Sequence, residues 1–175
     1  KTIQQAILPD LSTIKKHFDV FVIYQPKDIV SGDFFWFHET ESSEGKEKNL
    51  LFAVVDCTGH GVPGAFMSMI GNRLLNEIVY ERKIDDPKDI LNILNTEIRA
   101  ALRQDQTDNN DGMDMALCRF EKLGNGEVLL TFAGAKRNIQ IVKKERKEVQ
   151  KVKGDRFSIG GTIDNKDKGL FRNQE

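Results

Sequence analysis

The chain carries no surplus of either charge: 26 Lys and Arg stand against 27 Asp and Glu, a formal net charge of −1 over 175 residues. Without a basic excess, and with no known nucleic-acid motif in view, binding to DNA or RNA is disfavoured. Cysteine is scarce. Cys57 and Cys118 lie in or beside apolar strands and form neither a C-x-x-C pair nor an even framework of spacings, so both are read as reduced, buried thiols of a cytoplasmic protein. No apolar run approaches the ~20 residues that span a bilayer, and no signal peptide is visible. No complete Walker or dinucleotide pattern supports a phosphate or nucleotide binder that works without metal. Because the chain opens at Lys1 without a methionine and enters in helical style, a preceding domain, a membrane one included, stays compatible with these absences.

What is present suits one globular domain with a real core, at 39% hydrophobic and 30% charged residues. Ile3, Ile7 and Leu8 form a short helical stripe that Pro9 ends, so residues 1–17 read as the end of an upstream connecting helix and its lead-in. Strands are expected over 18–24, to 37 after the turn at 26–32, and over 50–55, with a polar hairpin insert at 38–49. Two helices follow. The first, over 63–81, carries Phe66, Ile70, Leu74 and Ile78; the second, capped by Asp86-Pro87, carries Ile90, Leu94, Ile98 and Leu102. Both stripes read as core packing. After a polar loop at 104–111, strands return at 113–121, 127–133, 138–143 and 148–153, with Asn125-Gly126 as a hairpin signal. Strands, then adjacent helices, then strands predict an α+β fold with helices on an antiparallel or mixed sheet, and not a Rossmann alternation.

The stretch Val54-Val55-Asp56-Cys57-Thr58-Gly59-His60-Gly61-Val62-Pro63-Gly64-Ala65 is the densest in chemistry. Asp56 ends an apolar strand, a place where carboxylates commonly hold metal ions. Gly59, Gly61 and Gly64 allow a tight turn and close backbone approach. Pro63 suits the first turn of a helix whose amide groups favour an anion. The plainer alternative makes Asp56 a capping or turn carboxylate and His60 a loop residue. Asp33, between Gly32 and the aromatic strand Phe34-Phe35-Trp36-Phe37, is a second acid at the end of an apolar segment, and neighbouring strands would bring the two together.

The order of these blocks resembles the metal-dependent serine/threonine protein phosphatases, the PPM family, and within them the bacterial type named after stage II sporulation protein E. The resemblance rests on Pro26-Lys27-Asp28-Ile29-Val30-Ser31-Gly32-Asp33-Phe34, on Asp56-Cys57-Thr58-Gly59-His60-Gly61 and its helix, on Asp111-Gly112-Met113-Asp114-Met115-Ala116-Leu117, and on Phe132-Ala133-Gly134-Ala135; Phe157-Ser158-Ile159-Gly160-Gly161 also fits. It implies a two-layer antiparallel β-sandwich flanked by helices, with two Mn²⁺ or Mg²⁺ ions at one end. By position, Asp56 bridges the metals, Asp33 holds one directly or through water, and the Cys57 carbonyl completes the shell. Hard oxygen ligands suit such cations, which activate a water for attack on phosphorus. His60 is placed to donate a proton to the leaving oxygen or to orient a water, against a hydrogen-bonded loop role. Lys27 stands where relatives often have an arginine near the phosphate, and reads equally as an exposed lysine.

Family members normally continue past the Ile-Gly block to further acidic motifs. These do not appear before Glu175, so residues 18–175 are expected to be a catalytic domain lacking its C-terminal part, binding one metal loosely and inactive for want of the C-terminal ligands. Asp114 stands where the family more often has a small residue, and is either an extra metal ligand or structurally paired. Lys136 and Arg137 replace a histidine and asparagine of many relatives, and read as a solvated hairpin or as contacts to an acidic partner. The implied substrate is a phosphorylated regulatory protein of the anti-sigma factor antagonist class, under the control of an upstream sensor domain that also admits membrane attachment. The rival reading is a non-catalytic signalling or binding module of the same fold. Exposed sheet edges leave homodimerisation open.

Overall fold

The computed structural model describes residues 2–26, 29–41, 48–143, 148–161 and 170–174. Its sheet is organised by alternation along two long strands, Lys48–Cys57 (β2) and Gly112–Lys122 (β3), which pair antiparallel from Leu50 opposite Phe120 to Asp56 opposite Asp114. Leu51, Ala53, Val55 and Cys57 of β2 and Met113, Met115 and Leu117 of β3 are buried on one face. The period of two turns Val54, Asp56, Asp114 and Ala116 to the other face. Phe34–Glu41 (β1) pairs with the outer edge of β2, and Val128–Ala135 (β4) with β3 through the Asn125-Gly126 turn, where Gly126 has φ +84. Ile159–Gly160 (β7) takes the remaining end of the same β3 edge, setting Ile159 opposite Met113. Ile139–Val142 (β5) and Val149–Val152 (β6) make a separate antiparallel pair. Helices and antiparallel strands thus form the expected α+β arrangement.

The buried face is covered by two helices. Gly61–Asn76 (α3) runs into a π-helical turn at Glu77–Glu81, and Pro87–Ala101 (α4) lies beside it. In α4 the stripe Ile90, Leu94 and Ile98 is fully buried, with Leu91 alongside. The first helix departs from its predicted stripe: Leu74 and Ile78 are buried and Ile70 packs partly on the core, but Phe66 is 62% exposed and Met67 takes the inward place. A spacing of four advances about 40° beyond one full turn, so Phe66, three such steps from Ile78, has rotated about 120° off the core.

Residues 18–24 also differ from expectation. They form no strand with a partner among the described residues, Phe21 being 85% and Ile23 77% exposed; apolar alternation favours a strand, but only paired backbone makes one. At the N-terminus, the helix Thr2–Ala6 (α1) stops before Pro9, and the short helix Leu11–Ile14 (α2) buries Ile14 completely. No helix of the described residues is long and apolar enough to cross a membrane. Both cysteines are free thiols.

Asp86 caps α4 as its sequence predicts, accepting from the amides of Lys88 (3.1 Å) and Asp89 (3.4 Å), with Pro87 in the first turn. It also receives the Asn173 side-chain amide at 3.0 Å, tying residue 173 to the helix start. Asp86→Ala is expected to cost about 1–2 kcal/mol in a urea or thermal melt, the upper part of the range for a lost N-cap.

Candidate active site

Asp56 leaves the sheet on the face the helices do not cover, and the chain then turns through Gly59 (φ +80) and Gly61 (φ +63) into α3. The turn is held by close backbone packing. A Cβ on Gly64 would lie 2.7 Å from the Gly59 carbonyl oxygen and 3.1 Å from Gly32; a Cβ on Gly32 would lie 3.0 Å from the carbonyl oxygens of Cys57 and Gly59. These two glycines seat the Asp33 loop directly on the 57–59 turn. The Cys57 carbonyl, expected among the metal donors, thereby faces the Gly32–Asp33 loop. Burial pushes the Cys57 thiol up to about 12, the Asp33 charge adding to it, and the side chain lies in the buried core with Val55 and Met113.

The Asp33 loop is fastened from the other side by Gln4 of α1, which no sequence pattern marked. Its buried side chain accepts from the Ser31 amide (2.9 Å), donates to the Ser31 carbonyl, and reaches the Ser68 hydroxyl of α3 (2.9 Å). Ser31 Oγ in turn accepts from the Asp33 amide at 3.0 Å, and Tyr24 donates its hydroxyl to the Asp33 carbonyl at 3.2 Å. Burial, reinforced by the Asp33 charge against the Ser31 hydrogen bond, raises the Tyr24 pKa, so it remains a donor there. Gln4→Ala leaves buried partners unsatisfied and is expected to destabilise by about 1–3 kcal/mol, read in chemical melts.

Asp33 and Asp56 line one cavity of about 580 Å³, bounded also by residues 20–25 and by Val54, Ala116 and Arg137. Asp114 sits directly opposite Asp56 across the β2–β3 ladder, and its Oδ1 accepts from the Ser158 hydroxyl at 2.6 Å. Arg137 closes the group: one guanidinium nitrogen contacts Asp56 Oδ2 and lies 3.7 Å from Asp114 Oδ2. Both expectations for Asp114 therefore keep a basis, since it is structurally paired and also faces Asp56. Arg137 remains exposed between the strands ending at Ala135 and starting at Ile139, and its head pairs with acids of this same chain. Below them, Thr58 donates its hydroxyl to Asp111 Oδ1 (2.8 Å) and accepts from the Gly112 amide (3.0 Å), bracing the 57–59 turn against the start of β3.

His60 is exposed at the N-cap position of α3, with extended backbone (φ −130, ψ 169) and no capping bond from its side chain. Lys27 lies outside the described residues. Among the described residues no three His, Cys, Asp or Glu side chains converge as a ready cage. The donor chemistry nevertheless fits a hard divalent ion, with oxygen donors from carboxylates facing each other on adjacent strands and a backbone carbonyl at the neighbouring turn; the Arg137 guanidinium is not a donor and stands on the same carboxylates as a competing positive charge.

The family model described as "Stage II sporulation protein E (SpoIIE)" matches residues 46–164. Among solved structures, the SiaA-PP2C domain of Pseudomonas aeruginosa is similar, with a TM-score of 0.76 and 31% identity over 99% of this chain and 62% of that one. The present chain thus spans less than two thirds of that relative's length. No curated protein matches it. With two-thirds of its residues inside the family model and the PP2C-like fold along nearly all of it, the chain belongs to the SpoIIE family of PP2C-type phosphatase domains.

Proposed function

We propose that the chain is the catalytic part of a metal-dependent phosphoserine/phosphothreonine protein phosphatase. The observation that carries this is that Asp56 and Asp33 line one cavity, with Asp114 directly opposite Asp56 on the adjacent strand. Asp33, Asp56, the Cys57 carbonyl and Asp114 would hold the cations. When bound, Mn²⁺ or Mg²⁺ supplies the Lewis acidity that activates water and offsets charge on a phosphoryl group. Ser158 orients Asp114 through its hydroxyl, and Gln4 and the Gly32–Gly64 contact fix the Asp33 loop over the turn. His60, exposed at the start of α3, would deliver a proton to a leaving serine or threonine oxygen, and Lys27, which lies outside the described residues, would contact the phosphate.

The substrate proposed is a phosphorylated regulatory protein of the anti-sigma factor antagonist class. An upstream sensor would act through residues 1–17, supported by the grip of Gln4 on the Asp33 loop, and the domain would work in the cytoplasm. A non-catalytic binding module is the second reading, favoured by one observation: Arg137 already neutralises the facing carboxylates. Mn²⁺-dependent phosphate release from a phosphoserine protein separates the two. The protein at its natural length should turn over and its Asp56→Asn form should not; absence of both turnover and Mn²⁺ binding at natural length would replace the phosphatase reading with the binding module.

A further inference from the structure

We propose that Arg137 is an internal counter-cation that a divalent metal must displace, so that the site alternates between an arginine-closed and a metal-loaded state. The inference rests on the metal-dependent reading above and adds a function for a residue outside the family's acidic motifs. Residues directly opposite in an antiparallel pair have Cβ atoms about 4.5–5.5 Å apart, and like charges there repel. Asp56 and Asp114 are such a pair. The ion pairs of both, among the described residues, run to the same Arg137 guanidinium nitrogen, although Arg137 is 81 positions from Asp56 in sequence.

The position is built. Lys136, with φ +53, turns the chain out of β4, and its amide donates to the Asp155 carbonyl at 2.8 Å. The Arg137 carbonyl then lies in a gap that only glycines leave open: a Cβ would come within 2.4 Å of it from Gly134 and within 2.3 Å from Gly154. Asn138 Oδ1 accepts from the Gly154 amide at 3.1 Å, closing the other side. A left-handed lysine and two obligatory glycines thus hold the base of this side chain, while its head reaches Asp56 at the cavity wall and lies 3.7 Å from Asp114 Oδ2. The head is not locked in. The side chains of Arg137 and Asp56 are 46% and 49% exposed, and ion pairs so placed are weak enough to exchange. The guanidinium and a divalent ion need the same Asp56 and Asp114 oxygens, so each site occupied by one is closed to the other, and apparent metal affinity falls by the fraction of arginine-free protein.

The test is Mn²⁺ binding by calorimetry to the wild type, Arg137→Met and Lys136→Met, with the Arg137 Nε–H resonance followed in the wild type during a Mg²⁺ titration. Lys136 is exposed and one residue away, so its variant removes an equal charge without vacating the carboxylates. Arg137→Met is expected to bind Mn²⁺ about tenfold more tightly and Lys136→Met within about twofold of wild type. The Arg137 resonance should move in step with Mg²⁺ occupancy. Equal or weaker binding by Arg137→Met, or equal tightening by both variants, overturns the exchange while leaving the metal site standing. If the Arg137 variant does not fold, an arginine resonance unmoved at saturating Mg²⁺ overturns it in the wild type. Failure of wild type and Arg137→Met alike to bind either ion removes the metal-dependent reading itself.

Discussion

Asp56→Asn is expected to lower Mn²⁺-dependent phosphate release by on the order of 10²–10³-fold, the effect of removing one preorganised electrostatic group, while barely moving the melting temperature. The two halves of this expectation have different causes. Asparagine keeps the size of the side chain at the end of β2 but withdraws the charge proposed to bridge the metals. Stability changes little because opposing terms cancel. The substitution relieves repulsion between facing carboxylates, worth about 0.2–1 kcal/mol, and loses a half-exposed arginine pair of similar size. Arg137 keeps Asp114 in the variant. At this chain length a residual of up to about 1 kcal/mol shifts the melt by about 2–4 °C. Phosphate release and a thermal melt on the same preparation check both halves. Activity retained within about threefold would remove Asp56 from its proposed place, and a large fall in melting temperature would return it to the turn-forming role that its sequence also allowed.

The parts of this site that follow from local pattern were legible in the sequence. Asp56 ends an apolar run, Asp86-Pro87 precedes a regular stripe, and the glycines around the turn announce close approach, because each signal lies within a few residues of its effect. The family resemblance then placed Asp33 and Asp56 together, as the shared cavity does. What could not be read depends on contacts made across the chain. Arg137 reaches Asp56 only because Lys136 adopts a left-handed conformation and Gly154 opens space behind it. Gln4 reaches Ser31 and Ser68 from a helix of ordinary composition. Residues 18–24 show the reverse failure: their alternation resembles that of β2, but alternation reports apolar faces and not a neighbouring strand, and among the described residues they have none. Phe66 shows how a four-residue spacing, read as one stripe, drifts off the core over several turns.

Gly64→Ala is expected to destabilise by about 2–3 kcal/mol, within the range for forcing atoms into a close-packed interior, and to weaken Mn²⁺ binding as well. The new methyl would meet the Gly59 carbonyl oxygen at 2.7 Å and the Gly32 nitrogen and Cα at 3.1 Å, all of them backbone atoms. A flexible side chain would swing aside, but here either α3 or the loop carrying Gly32 must move. Neither does so freely: the Gly32 loop is tied through Ser31 to Gln4, and α3 through Ser68 to the same glutamine. Strain at this contact therefore separates Asp33 from the 57–59 turn, the two sides that the proposed metal needs together. The melting temperature should fall by on the order of 5–10 °C, at about 2–4 °C per kcal/mol for a chain of this size. Gly124→Ala supplies the contrast, since a Cβ there meets nothing within 4 Å and should leave both stability and Mn²⁺ binding unchanged. If Gly64→Ala melts and binds Mn²⁺ like the wild type, the Gly32–Gly64 contact is not what holds the Asp33 loop over the turn, and the glycine between Pro63 and Ala65 has been assigned the wrong work.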